Sequence, residues 1–291
     1  MLTTALLLAA LHVAPDIDLI PGRFTPGSQP DGNTIVLRGA KGLIVVDTGR
    51  HADHTQQIVD YAHAAKLPVV AIINTHWHLD HIGGNALLRR EFPGVRVYAS
   101  GALADARKGF LANYRKQLEE MVAKSGEQSF KDEIALIDSG DALMPDVIID
   151  KSGKRDIAGR KLEIGFEKDS VTAGDVWIFD PKTRVLITGD LITLPVPLLD
   201  TACPQNWRAS LDRLSKLNFD VVIPGHGAPM HRADFETYRA AYTHFVSCTD
   251  AKEKCIDGWL SDAAPLLEKE DPKFVRMLLD YYAGLRAKPC K

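Results

Sequence analysis

The chain has 291 residues, of which 25% are charged, and a formal net charge of -3; this composition indicates a folded globular protein of one large domain or two small ones. No run rich in Lys and Arg marks a nucleic-acid surface, so a small-molecule partner is favoured over a nucleic acid. The apolar segment of residues 2–14 is shorter than the ~20 residues that span a bilayer, so no membrane partner is expected.

The N-terminal residues have the short apolar core of a secretory signal peptide, and the small residue Ala14 precedes Pro15. No Lys or Arg stands before the apolar run, which leaves an N-terminal helix or strand packed on the core as the alternative. We predict a signal peptide over residues 1–14 and a single domain over residues 16–291. The protein is then periplasmic or secreted, with a cytoplasmic location as the alternative.

The first half of the chain predicts strands and helices in alternation. NTIVLRGAKGLIVVDTG contains two short β-branched runs around a Gly-Ala-Lys-Gly turn, which predicts a hairpin. HADHTQQIVDYAHAAKL has helical spacing, and PVVAIINTH is typical of a buried strand. Residues 86–92 are then predicted to form a helix, VRVYAS a strand, and residues 102–124 a long amphipathic helix, either an ordinary surface helix or a lid.

The second half repeats this order. Strands are predicted across residues 147–180, with turns at Ser152-Gly153, Ala158-Gly159 and Ala173-Gly174, and again in TRVLITGD. NWRASLDRLSKL is predicted to be a helix, FDVVIPGHG a strand that runs into a turn, and the residues from about 233 to 291 a helical extension. Two β-rich halves, each followed by helices, predict a layered one-domain α/β sandwich.

The strongest chemical signal is THWHLDHIGGN, in which His76, His78, Asp80 and His81 lie within six residues directly after an apolar strand. Packing does not explain this cluster, because a core would have to satisfy every ring nitrogen. Metal ligation does explain it, and a turn that leaves a strand can direct its side chains to two neighbouring metal positions. Nitrogen and carboxylate donors favour zinc, with iron or manganese as alternatives.

This stretch resembles the HxHxDH signature of the metallo-β-lactamase superfamily, which includes β-lactamases, glyoxalase II and lactonases. The resemblance extends over most of residues 32–232. Asp47 in VVDTG matches the family's early Asp, which supports the site from behind the ligands; Asp190 in LITGD matches the carboxylate that bridges two metals; and His226 in VIPGHG matches the last ligand. The resemblance implies a four-layer αββα sandwich with the metals at one edge between the sheets.

At one position the chain departs from the family. The family's next ligand usually opens a His-Thr-x-Gly-Asp element, whereas this chain has VTAGD, and Val171 has no donor atom. The resemblance therefore leaves His76, His78 and a share of Asp190 at the first metal position. It leaves four donor residues at the second position: Asp80, His81, Asp190 and His226.

Three hypotheses follow from the valine. We favour a hydrolase with one main metal at the second position. A relative that had lost its activity would have no reason to keep all the donors of one particular site. Alternatively, Asp169, Glu167, His51 or His54 replaces the missing ligand and two metals bind, although each of these residues is more simply an ordinary solvated group. In the third hypothesis the chain is a catalytically weak or silent relative that acts as a metal-binding protein.

The predicted reaction is hydrolysis of a small ester, lactone, thioester or amide, with a β-lactam among the candidates. Asp80 is the predicted catalytic residue, because its carboxylate can take or position a proton of the attacking water. The motifs of serine hydrolases and nucleotide enzymes are absent from the sequence. The segment LPVPLLDTACPQNW, which follows Asp190, is predicted to form a stiff loop over the site.

Four cysteines lie in the second half of the chain, and none of them forms a CxxC. In an exported protein an even number of cysteines favours disulfides, with three connectivities available. Cys248 and Cys255 would close a short loop, which leaves Cys203 and Cys290 to fasten the C-terminal tail to the body. Four reduced thiols in a cytoplasmic protein are the alternative.

Overall fold

Two β-sheets form the centre of the fold. The computed structural model describes residues 10–287 and 289–290. In this part of the chain the first sheet has seven strands, which lie side by side in sequence order. They are β1 (Leu11–Ala14), β2 (Ile17–Ile20), β3 (Thr34–Gly39), β4 (Gly42–Val46), β5 (Val69–Ile73), β6 (Arg96–Ala99) and β7 (Val147–Ile148). The pairs from β1 to β4 are antiparallel and those from β4 to β7 are parallel.

The second sheet has six described strands in the order β13-β12-β11-β10-β9-β8. They are β8 (Gly153–Ile157), β9 (Arg160–Lys168), β10 (Gly174–Asp180), β11 (Val185–Thr193), β12 (Val221–His226) and β13 (Met230–His231). Only β11 and β12 pair in parallel among these described strands. The C-terminal ends of β11 and β12 therefore point to the same edge.

Helices cover both outer faces. The described helices are α1 (Ala52–Ala65), α2 (Leu79–Ile82), α3 (Asn85–Glu91), α4 (Leu103–Lys108), α5 (Phe110–Ser125), α6 (Gln128–Asp138), α7 (Pro204–Leu214), α8 (Arg232–Ser247), α9 (Lys252–Asp262) and α10 (Pro272–Tyr282). Single 3-10 turns cover Gly140–Leu143 and Ala264–Leu266. The apolar faces of α1 and α3 pack on the first sheet, and those of α7 to α10 pack on the second.

The alternation of side chains along the strands explains the layers. In β10, Val176 and Ile178 point into the apolar core between the two sheets, whereas Trp177 and Phe179 point into the core beneath the helices. Successive strand residues face opposite sides, so a continuous apolar run such as this one needs cover on both faces. The predicted four-layer αββα sandwich is confirmed.

The helical region after β6 differs from the sequence prediction. The single helix expected over residues 102–124 is divided at Gly109 into α4 and α5, and α6 was not predicted. The apolar faces of α4 and α5 pack with Trp77 and Leu79 of the histidine motif. This helical layer therefore lies over the edge of the sandwich where the motif is found.

The two chain ends bear on the export prediction. Of the predicted signal peptide, residues 1–9 lie outside the described residues, and Leu11–Ala14 form β1, which pairs with β2. The structure joins Cys203 to Cys290 and Cys248 to Cys255, the pairing that the sequence favoured. Export stays a prediction. Within the described residues no helix is both long enough and apolar enough to cross a membrane.

Candidate metal centre

Chain segments that are distant in sequence bring six candidate ligands to one edge of the sandwich. His76 and His78 lie in the loop that follows β5, and Asp80 and His81 lie in the short helix α2. The other two come from the parallel pair of the second sheet, where Asp190 lies within β11 and His226 ends β12. Strand β11 continues past Asp190 to Thr193, so the aspartate is held by strand backbone on both sides.

The six side chains form two groups of potential ligands. In the first group, ligand atoms of His76, His78 and Asp190 lie within 4.8 Å of one another. The second group comprises Asp80, His81 and His226, with the same limit. Each group is compact enough to surround one metal ion, and nitrogen with carboxylate oxygen is a donor set that suits zinc.

Asp190 lies between the two groups. Its Oδ2 is 3.6 Å from Nε2 of His76, in the first group. Its Oδ1 is 3.2 Å from Nε2 of His81 and 3.6 Å from Nε2 of His226, in the second group. One oxygen of this carboxylate thus faces each group, which is the arrangement that the family resemblance implied for a bridging ligand.

The polar atoms at the centre of the cluster have no hydrogen-bond partners among the described residues. Nε2 of His76, His81 and His226 and both carboxylate oxygens of Asp190 are buried and make no hydrogen bond of good geometry. The contacts that they do make are with one another and with Asp80, whose Oδ2 lies 3.0 Å from His226 Nε2. Buried polar atoms nearly always make hydrogen bonds, so five such atoms that converge on one place without them need an explanation. A metal ion coordinated by these atoms supplies it, and the residues present fit such an ion.

Asp47 and Thr75 determine which ring nitrogens face the centre. Thr75 donates its one hydroxyl proton to Asp47 Oδ2 over 2.7 Å, so toward His76 Nδ1, 3.0 Å away, the hydroxyl can only accept. His81 Nδ1 lies 2.8 Å from the same oxygen of Asp47 and donates to it. In both histidines Nδ1 carries a proton and Nε2 is directed at the centre, as metal ligation by Nε2 requires.

The electrostatics of the cluster suit a cation. Burial holds the pKa of His76 well below its usual range, so this imidazole is neutral. Burial opposes ionisation of Asp190 and Asp80, but the neighbouring imidazoles, His81 foremost, outweigh it and keep the pKa of each carboxyl below its usual range. Burial also opposes protonation of His81, yet the nearby carboxylates raise its pKa well above normal. Ionised carboxylates at this depth need a positive partner.

Two glycines permit the close approach of the ligand-bearing segments. A Cβ atom at Gly225 would lie 2.0 Å from Oδ1 of Asp190, and a Cβ atom at Gly32 would lie 2.5 Å from the ring of His81. Any larger residue at either position would displace a candidate ligand.

The four residues considered as substitutes for the missing histidine have other partners or lie elsewhere. His51 contacts Asp31 at 3.0 Å, and His54 contacts Thr34 at 2.9 Å. Glu167 accepts hydrogen bonds from Trp177, Ser210 and Arg213. Asp169 occupies a turn with a positive φ of 50°. None of the four belongs to either ligand group within the described residues.

A cavity of about 1240 Å³ opens beside the cluster. His78 and Asp80 form part of its lining, so the polar centre is accessible from this space. Aromatic rings form much of the wall: Phe24, Trp77, Phe110, Tyr114, Phe274 and Tyr281. The last two belong to α10, so the C-terminal extension helps to form the cavity.

Sequence reasoning did not identify Arg50 or Thr201. The Arg50 guanidinium lies 3.5 Å from Asp80 Oδ1 and pairs with Glu133 of α6, and both residues line the cavity. Thr201 lies 2.8 Å from His78 Nε2. Arg50 closely follows Asp47, which was a usable signal, whereas the loop position of Thr201 offers none. Its segment does cross the site, as LPVPLLDTACPQNW was predicted to do.

Comparison with known families agrees with the geometry. The sequence model of the metallo-beta-lactamase superfamily matches residues 28–226, more than half of the chain. The chain therefore belongs to the metallo-beta-lactamase superfamily, as the HxHxDH resemblance predicted. The helices α8 to α10 lie beyond the matched residues.

Similar proteins include two alkylsulfatases. The linear primary-alkylsulfatase of Pseudomonas sp. is 28% identical over 219 residues, which cover 67% of this chain and 41% of the relative. The (R)-specific secondary-alkylsulfatase of Pseudomonas sp. is 25% identical over 260 residues, which cover 79% of this chain and 39% of the relative. The chain thus spans about two fifths of the length of these relatives.

A solved structure with the same fold is the metallo-beta-lactamase from Pontibacter korlensis. It superimposes with a TM-score of 0.61 at 20% sequence identity and covers 81% of this chain and 98% of that chain. At this identity the likeness concerns the sandwich fold.

Proposed function

We propose that this chain is a metal-dependent hydrolase with one main metal ion, held by Asp80, His81, Asp190 and His226. The observation that carries the proposal is the convergence of buried Nε2 and carboxylate atoms, which lack hydrogen bonds, beside an open cavity. His76 and His78, with a share of Asp190, hold a weaker second metal or orient the attacking water. Zinc is the proposed ion, since imidazole and carboxylate donors suit it.

The chemistry that a bound zinc ion supplies is Lewis acidity, which polarises a carbonyl group and makes a water molecule nucleophilic near neutral pH. The chain's own contribution is to hold and move protons. Asp80 lines the cavity, and its Oδ1 lies 3.5 Å from the Arg50 guanidinium. The ionised carboxylate can accept a proton of the attacking water, while Arg50 keeps it oriented toward the cavity.

The proposed substrate is an ester, lactone, thioester or amide with an apolar body. The aromatic wall of the cavity supports this choice, because apolar walls around a few polar groups are typical of small-molecule sites. The volume exceeds what a short acyl group alone would fill. Since two relatives are alkylsulfatases, a sulfate ester belongs among the substrates to be tested.

Metal content tests the proposal most directly. Protein purified without chelator should carry about one tightly held zinc per chain, expected because four donors at one position bind far more strongly than a depleted set. Asp80→Ala should lose this ion and His76→Ala should keep it. His12→Ala is the control, because this exposed histidine contacts Asp18 and lies outside both ligand groups. Two equally tight ions, or loss of the metal in His76→Ala, would refute the one-main-metal assignment.

Turnover is then measured on chromogenic esters of increasing acyl length, a lactone, a thioester, a cephalosporin and an aryl sulfate. Activity should disappear with a chelator and return with zinc. A zinc-loaded protein that turns over none of these compounds would favour the silent metal-binding relative instead.

A further inference from the structure

The hydroxyl group of Thr201 lies between His78 and the main chain of Val171. Thr201 Oγ1 donates to the carbonyl oxygen of Val171 over 2.9 Å and lies 2.8 Å from His78 Nε2. A threonine hydroxyl has a single proton, and a carbonyl oxygen can only accept. Toward His78 the hydroxyl must therefore accept, so Nε2 of His78 carries the ring proton. Nδ1 is the nitrogen that keeps a lone pair for a metal.

The same arrangement holds the first histidine of the motif. Thr75 donates to Asp47 and accepts from His76 Nδ1, which leaves Nε2 of His76 free. In each case a threonine hydroxyl donates its hydrogen bond to an oxygen that can only accept, and it thereby selects the tautomer of one histidine. Thr201 thus does for His78 what Thr75 does for His76, although Thr201 lies in the loop that follows β11 of the second sheet.

The position of the missing ligand is part of this arrangement. The Val171 side chain is fully buried in the apolar core with Leu191 and Trp207. What residue 171 still offers toward the first ligand group is its carbonyl oxygen, and Thr201 occupies that oxygen. The valine therefore acts on His78 through its backbone, by way of Thr201.

Both flanks of Thr201 are fastened. The carboxylate of Asp200 accepts hydrogen bonds from the hydroxyl groups of Tyr281 and Tyr282, at 2.8 and 2.7 Å. Cys203 donates its backbone N–H to Ser170 O over 2.8 Å, and it is disulfide-bonded to Cys290. Helix α10 and the C-terminal tail, outside the residues that match the family, thus hold this loop against the ligand group.

We propose that Thr201 is a positioning residue for the metal position formed by His76, His78 and Asp190. Its hydroxyl fixes the Nε2–H tautomer and the ring orientation of His78, so that Nδ1 is presented to the metal. The inference rests on the proposed function, since it requires a weaker metal position beside the main one. Partners of this kind typically contribute about 10- to 100-fold to metal affinity.

Zinc titration against a competing chromogenic chelator tests this role. The variants are Thr201→Val, which removes the hydroxyl at nearly constant shape, and Thr201→Ser, which keeps it. Thr243→Val is the control, because Thr243 is also half-buried and also donates to a main-chain carbonyl, that of Arg239 at 2.8 Å. Thr201→Val should weaken the second zinc equivalent about 10- to 100-fold while the first is unchanged. Thr201→Ser and Thr243→Val should bind both equivalents like the wild type.

An equal second-equivalent Kd in Thr201→Val and the wild type would overturn the proposal. So would equal weakening of both equivalents, or a Thr201→Ser variant as weak as Thr201→Val, since either result indicates general damage to the loop.

The tautomer gives a readout that needs neither metal nor turnover. Long-range ¹H–¹⁵N spectra of the metal-free protein should show His78 as the Nε2–H tautomer in the wild type and in Thr201→Ser, and a changed tautomer population in Thr201→Val. An Nδ1–H tautomer in the wild type would contradict the proposal. Failure of the proposed function would look different: neither the wild type nor any variant would bind a first zinc equivalent tightly, and the His78 spectra would be unaffected.

Discussion

Asp47 connects two of the candidate ligands, and its replacement by asparagine should weaken the main metal site without disrupting the backbone. The residue is 1% exposed and has a positive φ of 58°. Asparagine tolerates this left-handed conformation well, so Asp47→Asn adds little backbone strain. The change removes one negative charge and one of the two acceptor oxygens.

The magnitude follows from the hydrogen bonds that are lost. The Asp47 carboxylate accepts from Thr75 N at 2.8 Å, Thr75 Oγ1 at 2.7 Å and His81 Nδ1 at 2.8 Å, with both oxygens in use. A carboxamide has one acceptor oxygen, so at least one buried donor meets an NH₂ group. One unsatisfied buried donor costs about 1–3 kcal/mol, and we expect the metal-free variant to be less stable by about this amount.

The effect on metal binding comes from the tautomer of His81. An NH₂ group opposite Nδ1 favours a ring proton on Nε2, the atom that lies 3.2 Å from Asp190 and belongs to the main ligand group. Loss of such a partner lowers metal affinity about 10- to 100-fold, which corresponds to about 1.4–2.8 kcal/mol. Zinc competition titration measures the metal affinity, and urea unfolding of the metal-free protein measures the stability.

Asp175→Asn is the matched control for Asp47→Asn. Asp175 is also a buried carboxyl at this edge, but its hydrogen bonds go to Thr172. The variant Asp175→Asn should keep wild-type zinc affinity. Wild-type affinity in Asp47→Asn, or an equal loss in both variants, would refute the reasoning that Asp47 acts through His81.

Two further predictions concern the cavity and the pH dependence of stability. Phe110 is 47% exposed and lines the cavity, and its ring centroid lies 5.3 Å from that of Trp77. We expect Phe110→Ala to lower kcat/KM for a long-chain ester about 5- to 30-fold, the equivalent of about 1–2 kcal/mol of apolar contact. The kcat/KM for an acetyl ester should change little. Met121→Ala on the same helix is the control, and equal losses for both esters would contradict the assignment. Burial raises the pKa of Asp175 from 3.8 to about 8. Between these pH values the folded protein holds a proton that the unfolded chain has lost. The free energy of unfolding therefore falls as the pH rises. The metal-free wild type should therefore lose at least about 1.4 kcal/mol more stability than Asp175→Asn between about pH 4 and pH 8, the equivalent of one pKa unit; parallel unfolding curves would contradict this expectation.

Local patterns in the sequence were sufficient for the layers and for the four candidate ligands of the histidine motif. The apolar runs of the strands and the periodicity of α1 and α7 predicted the sandwich, because side-chain alternation is a property of the chain itself. His76, His78, Asp80 and His81 are adjacent in sequence, so their pattern is visible without a structure. Asp190 and His226 were found through the family resemblance, because LITGD and VIPGHG follow the HxHxDH motif in the order that the family shows.

The rest depended on contacts between distant segments. Neither the division at Gly109 nor helix α6 has a strong signal in the sequence, since both depend on packing over the histidine motif. Thr201 is a common residue in an irregular loop, and its role requires His78, 123 positions away, to lie at hydrogen-bond distance. A hydroxyl acts only through a partner within about 3 Å, and that proximity is created by the packing of the two sheets.

Val171 shows the boundary between the two kinds of information. The sequence alone determined that a donor is missing from an otherwise recognisable VTAGD element. Only the tertiary structure decided what residue 171 does at the site, because the contacts of a main-chain carbonyl oxygen, which every residue has, cannot be read from a sequence pattern. Its effect on His78 depends on a loop that α10 and the Cys203–Cys290 disulfide hold in position.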